Sequence, residues 1–585
     1  MSTALLGSLL PLTVAVPIVA AACCPIVARR SRRAPMLLSV VALLASGALL
    51  CCMAPSVYDG HVLVHFMGHW VPVQGHALGI SFAADAWGLT YALMTAFLGA
   101  LLVLSTLSEL GELGPKELGG YSCLFLLLCA ALIGAALTGD LFNLFVWFEV
   151  AALASYALTA FFLERAIALE AAFKVLVLTT IASFAIFLGA ALVYSSTGAL
   201  DLGEIERALS GRSGAPVALV ALGLLVGGFA TKAGILPFHG WLPDAHEAAP
   251  GPVSALFSGL MVNLGVVAIA RLVFEVFTTG HGHDVLGLLM VLGVTSAVGG
   301  ALLALVQDDL KRLLAYDTIS QMGVLLVGLA SASATGLAGA SYHLVDHALF
   351  KALLFLCAGS IVHMTGATKL SEMGGLAKRY PLVAAAFVVG VLSISGVPPF
   401  NGYVSLGLIH EALRSRHELT PFVAMLVSQV VTMAALGRAA WLAFFAPPAR
   451  GEVPPHGQDL RAGMAAAMIA LSAGCLAFGV LPTVVLAHVA APAAAALLHP
   501  AGYAGAVLAS GGSIPPVRVS FDYWDPAAIA TVVGTVVLAV PCAVLAGRVG
   551  ERARAVTRRL QTGSVNDYAG YLVGGMVLTV AVLAR

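Results

Sequence analysis

The chain has 585 residues, of which 60% are hydrophobic and only 10% charged, against roughly 25% charged in an ordinary soluble domain. Mean hydropathy is +0.99 and the formal net charge is zero. This excludes a soluble globular enzyme, and the charge balance offers no basic surface for nucleic acid.

A helix needs about 20 residues to cross the hydrocarbon. By that measure sixteen runs qualify: 4–28, 35–54, 85–108, 120–138, 139–162, 170–194, 216–238, 250–277, 284–306, 311–331, 337–363, 380–410, 420–446, 460–485, 526–548 and 566–584. They are numbered here as spans 1 to 16. The expected fold is all-α and polytopic, with about 14–16 transmembrane helices. The first run lacks a basic start and a cleavage site, and reads as a retained span rather than a signal peptide. Residues 58–84 carry His61, His65, His69 and His76 among alternating apolar residues and read as a short hairpin outside the membrane. The stretch 486–525 mixes alanine-rich pieces with Gly and Pro clusters, which leaves a partial helix open.

Loops after odd-numbered spans, with the span edges that flank them, hold 18 of the 29 Lys and Arg residues, including Arg29, Arg30, Arg32, Arg33, Lys311, Arg312, Lys378 and Arg379; loops after even-numbered spans hold 5. The positive-inside rule then places the odd loops in the cytoplasm and both termini outside, in the inner (cytoplasmic) membrane of a cell.

Two segments recur in the same order. AAFKVL (171–176) and GILPFHG (234–240) lie in spans 6 and 7; ALFKAL (348–353) and GVPPFNG (396–402) lie in spans 11 and 12. An offset of five spans reverses membrane orientation, so the pattern is an inverted repeat, as in many secondary transporters. Gly234 with Pro237, and Pro398 with Pro399, mark a break in spans 7 and 12. Proline lacks the N–H, and the ring of Pro237 would crowd the carbonyl of Ala233. Broken backbone at membrane depth must face protein or water.

Ionisable residues inside the spans are candidate ion-pathway groups. They include Glu149, Lys174, Lys232, and His343, His347 and Lys351, the last three spaced by four and so on one helical face. Each has a structural alternative: Glu149 as the partner of a lysine, Lys174 and Lys351 as snorkelling side chains near span starts, the histidines as hydrogen-bonded core residues. No nucleotide loop, nucleophile triad, or zinc or iron–sulfur cysteine pattern occurs among the nine cysteines. No cofactor and no metal site is therefore expected, and no catalytic residue.

The segments FEVAALASYAL (148–158), AAFKVLVL (171–178), TKAGILPFHGWLPDAHEAAPGPVSALFSG (231–259), LVQDDLKRLLAYDTISQMG (305–323), YHLVDHALFKALLFL (342–356) and GVPPFNGYVS (396–405) resemble a known family. It comprises the antiporter-like membrane subunits of complex I, of formate-hydrogenlyase-type hydrogenases and of multisubunit sodium/proton antiporters. The LPDAHEAAPGPVSAL form is most similar to the hydrogenase-type branch. The resemblance implies two inverted five-helix bundles, spans 4–8 and 9–13, within a core at 85–445 (repeats 120–277 and 284–446). A two-helix segment at 1–84 precedes the core, and C-terminal helices at 446–585 follow it. It also implies a proton route through Glu149, Lys174, Lys232, His343, His347 and Lys351, with Glu149 and Lys232 as a switchable ion pair. Implied partners are other membrane subunits, peripheral hydrogenase or dehydrogenase subunits, lipid, and protons or sodium.

Two positions depart from the pattern. Asn263 stands where many relatives carry a span-8 lysine, and Leu406 where they carry a lysine or glutamate; His410 and Glu411, one turn further on, are possible substitutes if they are not in the loop. Three readings stay open: a proton-translocating subunit of a redox-driven complex, a subunit of a sodium/proton antiporter, and a structural subunit that does not conduct. The stretch 549–565 is too short for a long lateral brace and reads as a basic anchor on the cytoplasmic side.

Overall fold

A computed structural model describes residues 2–110, 113–210, 215–277, 282–447, 460–508, 512–560 and 562–584. Among them fifteen helices are long and apolar enough to cross a membrane. They correspond to every expected span except the twelfth. Span 12 is two shorter helices, Pro381–Ile394 and Gly402–Ser415. Span 7 is likewise divided, into Pro216–Ala233 and Leu242–Ala248.

The breaks share one geometry, and glycine rather than proline sets it. Gly234 and Gly396 both adopt left-handed backbone, with φ of 68° and 71°. In the first copy Ile235 N donates to Ala230 O and Gly234 N to Thr231 O; in the second Val397 N donates to Leu392 O and Gly396 N to Ser393 O. That pair of bonds is the Schellman termination, which uses up the last free carbonyls of a helix. The helix has already ended at Ala233 before Pro237 is reached, so the expected clash of the Pro237 ring with that carbonyl is not what ends it. Pro237 and Pro398–Pro399 keep the following segment from resuming the helix. Polar groups freed at the breaks find protein partners: Trp241 Nε1 donates to Thr231 O at 2.7 Å, Leu236 N to Ser296 Oγ at 3.0 Å, and Asn401 N to Cys475 O at 3.0 Å.

A third pair of matching elements appears in the structure. Span 5 (Leu141–Thr159) and span 10 (Leu310–Ala330) each open on an aspartate N-cap, Asp140 and Asp309. Span 6 (Ala166–Thr197) and span 11 (Ala334–Thr365) each end on a left-handed glycine, Gly198 and Gly366. The chain leaving that glycine pairs with the N-cap: Leu141 N donates to Leu200 O, and Leu310 N to Thr368 O. The copies sit at opposite ends of the helix bundle, because Asp309 and Lys369 belong to the odd loops and Asp140 and Asp201 to the even ones. The odd-loop side is called the basic face below.

On the opposite face, residues 58–84 form the expected hairpin, with Leu63–Phe66 antiparallel to Ser81–Ala84. Its histidines are not gathered: His65 and His69 lie edge to face, whereas His76 Nδ1 pairs with Glu204 Oε1 at 2.6 Å. The open stretch after span 14 holds two helices, Pro482–Leu498 and Pro500–Val507, bent by 80°. Near their end Arg271 is fully buried between Asp85 and Glu275 and under the ring of Tyr503, joining spans 3 and 8 to the C-terminal part. Span 15 packs along span 13, and span 16 along the first half of span 7, where Gly575 lies against Pro237 and Phe238. Between them the helix of span 15 continues to Leu560; the arginine side chains of that segment lie outside the described residues.

Candidate proton-translocation site

The first polar centre is built from spans 5, 6 and 7. Lys232 is buried in the last turn before the break, 3.7 Å from Glu149 Oε1. That distance is too long for a direct hydrogen bond. Ser183, on span 6, closes the gap: its hydroxyl accepts from Lys232 Nζ at 2.8 Å and donates to Glu149 Oε1. A small apolar void lined by Phe148, Thr179, Lys232 and Met261 adjoins the pair. Glu149 is a third exposed at the flank of this chain and Lys232 almost wholly enclosed.

Lys174 does not snorkel. It is buried and pairs with Asp244 at 2.9 Å and Glu170 at 2.6 Å. Asp244 stands on the short half-helix Leu242–Ala248 and also meets Arg312 at 3.1 Å, which in turn holds Glu247 at 2.6 Å. This network ties the first repeat to the start of span 10 on the basic face. Burial raises the Glu247 carboxyl above its ordinary range, against the pull of Arg312.

The second centre is buried throughout. Lys351 lies in the middle of the 32-residue helix Ala334–Thr365, not near its start, and has no exposed surface. It forms an ion pair with Asp317 of span 10, and its ammonium also donates to Leu314 O at 3.0 Å. His343 bridges two elements, with Nδ1 3.0 Å from Ser405 Oγ and Nε2 3.0 Å from Gln321 Oε1. His347 lies between them on the same face, its ring 6.4 Å from that of His343. Neither nitrogen of His347 meets a protein partner, and the buried Asp346 carboxyl lies beside Ser405 and Asn401. Both ring nitrogens of His246, stacked on Phe355 at 4.7 Å, are likewise without a protein partner. Together these side chains form a buried polar row inside an apolar shell.

The departures have distinct settings. Asn263 donates to Gly259 O at 2.7 Å, within its own helix. Leu406 is buried with Ala297, Ile409, Leu413 and Met425. His410 and Glu411 are not in the loop: both lie in the helix Gly402–Ser415, His410 buried and Glu411 paired with Arg414 at the surface.

Sequence reasoning missed Asp317, Ser183, Asp244, Arg312, Asp346 and His246. Asp317 had a usable signal. It follows the N-cap Asp309 at nearly the interval that separates Glu149 from Asp140, so it is the acid of the second copy. The alignment of the two breaks also places Ile394 where the first copy has Lys232. The second copy therefore pairs its acid with the span-11 lysine instead.

Residues 138–432 match the family model described as NADH:quinone oxidoreductase/Mrp antiporter, TM. The chain is 33% identical to NADH-quinone oxidoreductase subunit N of Desulforudis audaxviator over 433 residues, 72% of this chain and 84% of that protein. It is 32% identical to the Na(+)/H(+) antiporter D subunit of Bacillus subtilis, covering 65% and 76% of the two chains. It is also 32% identical to hydrogenase-4 component B of Escherichia coli, covering 64% and 58%. Among solved structures, it superposes on a chain of the Mrp complex from Dietzia sp. with a TM-score of 0.78, 28% identity and coverage of 86% and 99%. A chain of the membrane-bound sulfane sulfur reductase, an archaeal respiratory complex, gives 0.77 at 27% identity, with 85% and 99% covered. The chain thus belongs to the NADH:quinone oxidoreductase/Mrp antiporter family of polytopic, antiporter-like membrane subunits.

Proposed function

We propose that this chain is the proton-translocating subunit of a redox-driven membrane complex, with electron transfer carried out by peripheral hydrogenase or dehydrogenase partners. The observation that carries the reading is the Glu149–Ser183–Lys232 bridge beside a broken helix. A charge pair joined through a hydroxyl can be linked or parted, and the arrival of a proton biases the choice. Lys174, His343, His347 and Lys351 continue the route toward the second break. The basic face is the cytoplasmic one and both termini lie outside the inner membrane, in keeping with the lysine and arginine bias of the odd loops. Replacing Lys232 with Met in the whole complex tests the role: the proton-to-electron ratio in vesicles is expected to fall, and an unchanged ratio rejects it.

The second reading is a subunit of a sodium/proton antiporter without redox chemistry, which the likeness to the Bacillus antiporter chain and to the Mrp chain supports. Sodium-driven proton exchange in vesicles lacking any electron donor would favour it over the first.

A further inference from the structure

We infer that the second half discharges protons through a cavity on the face opposite the basic loops, with Leu406 as its hydrophobic valve and His410 as the first acceptor beyond it. The inference rests on the proton-translocation reading above and specifies where the route ends in a chain that lacks a charge at position 406.

The cavity has a volume of about 140 Å³ and opens beside the second half of span 12. A site needs only about 10–15 Å³ of such space per water, so it holds several. Its floor is Gly396, Leu406 and Gln429, and its far wall is the first turns of span 15, including Ala528 and Thr531. His410 lines the middle, buried, with Nε2 unpartnered. Glu411, Arg414 and Asp525 form the rim, where Arg414 pairs with both carboxylates. Gln429 donates to Ser395 O at 2.9 Å from the floor, while its own Oε1 and the Ser395 hydroxyl have no protein partner. The floor is thus polar and unsatisfied on the side that meets the break.

The buried row reaches the same floor from inside. His343 contacts Ser405 at 3.0 Å, and Leu406 is the next residue of that helix. Successive helix residues point about 100° apart, so Ser405 faces the row while Leu406 faces the cavity. Apolar constrictions of this type gate by wetting and drying. A proton held at His343 crosses when water bridges Leu406, is taken up by His410, and leaves past the Glu411–Arg414–Asp525 rim. No lysine at position 406 is needed.

The test uses the intact complex in vesicles. Thr531→Trp fills the cavity from a wall residue that touches none of the buried row, and Thr531→Val is the control for loss of the hydroxyl. Lys351→Met reports on the row itself. Leu406→Cys is treated with a membrane-impermeant thiosulfonate added from each side, against the labelling background of the unsubstituted complex. The expected result is a loss of translocation of about tenfold or more in Thr531→Trp, near-normal transport in Thr531→Val, and labelling of Cys at 406 only from the side opposite the basic loops. Normal transport in Thr531→Trp alongside a dead Lys351→Met overturns the outlet and leaves translocation standing. Normal transport in both removes translocation and the outlet together. Where Thr531→Trp does not assemble, as read on a native gel, the labelling decides: an unreactive cysteine overturns the outlet.

Discussion

Ser183 carries the sharpest expectation. Its hydroxyl makes one hydrogen bond to an ammonium and one to a carboxylate that are themselves 3.7 Å apart. At that separation and an effective dielectric of about 20, the direct attraction of the two charges is roughly 4 kcal/mol, and it survives removal of the hydroxyl. A hydrogen bond to a charged group contributes about 1.5–3 kcal/mol. Ser183→Ala loses two of these and regains one when Lys232 moves onto Glu149, a net change of about 1.5–3 kcal/mol. That is on the order of a 10- to 100-fold shift in the balance between the linked and parted arrangements. Proton translocation by the intact complex in inverted vesicles should therefore drop by a similar factor, with complex assembly unchanged. Ser183→Thr, which keeps the hydroxyl, should retain most activity. Transport within twofold of the parent in Ser183→Ala, under conditions where Glu149→Gln is inactive, would refute the bridge.

Asp317→Leu leaves the buried Lys351 ammonium without its carboxylate partner; breaking such a pair costs about 3–5 kcal/mol, and thermal stability of the purified complex should fall accordingly. Asp317→Leu with Lys351→Met should restore that stability and not the transport, and equal stability of the single and double variants would contradict the pairing. Outside the membrane, burial raises Asp140 and Asp201 from 3.8 to about 6. A carboxyl raised in the folded state holds its proton more tightly there, so stability is greatest below about pH 4, declines as pH rises toward 6 and is level above it. The penalty reaches about 3 kcal/mol per group. Asp201→Asn keeps an acceptor for Gly203 N and Glu204 N and should flatten the fall in melting temperature between pH 4 and 7; an unaltered slope would count against it. Gly396→Ala must hold φ near 71° and places a Cβ 2.8 Å from Gln429 Nε2 and 2.9 Å from Leu406 Cδ1. A loss of about 1–2 kcal/mol is expected, and a neutral result in thermal unfolding would show that the second break tolerates a side chain.

The scaffold was readable because the membrane makes sequence simple: spans are long apolar runs, and a lone charge inside one stands out. Glu149, Lys232 and Lys351 were found that way, and the repeated GILPFHG and GVPPFNG segments located both breaks. The cause of the breaks was misjudged because proline is the louder residue, while Gly234 and Gly396 do the terminating through φ. Ser183 escaped notice because serine in a membrane helix is usually a small packing residue, and only three dimensions put its hydroxyl between two charges. Asp317 was hidden by its proximity to the charged start of span 10, where Asp308, Asp309, Lys311 and Arg312 made one more acid unremarkable. Asp244 and Arg312 sat in or beside a loop, where charge needs no explanation until both prove to be tied to Lys174 or its partner.

The two copies are not equivalent, and the difference bears on how they are coupled. The first pair is held through a hydroxyl; the second is in direct contact and fully enclosed. The first is the easier to part, and the second the more costly. Asn263 spends its donor on its own helix and does not link the halves. The half-helix Leu242–Ala248 is placed to do so. Asp244 grips Lys174 of the first repeat and Arg312 of the second, and His246, two residues on, lies in the field of Lys351 and Lys311. The segment lies beyond the break beside Lys232 and ends among the second repeat's cations, so one short helix touches both repeats.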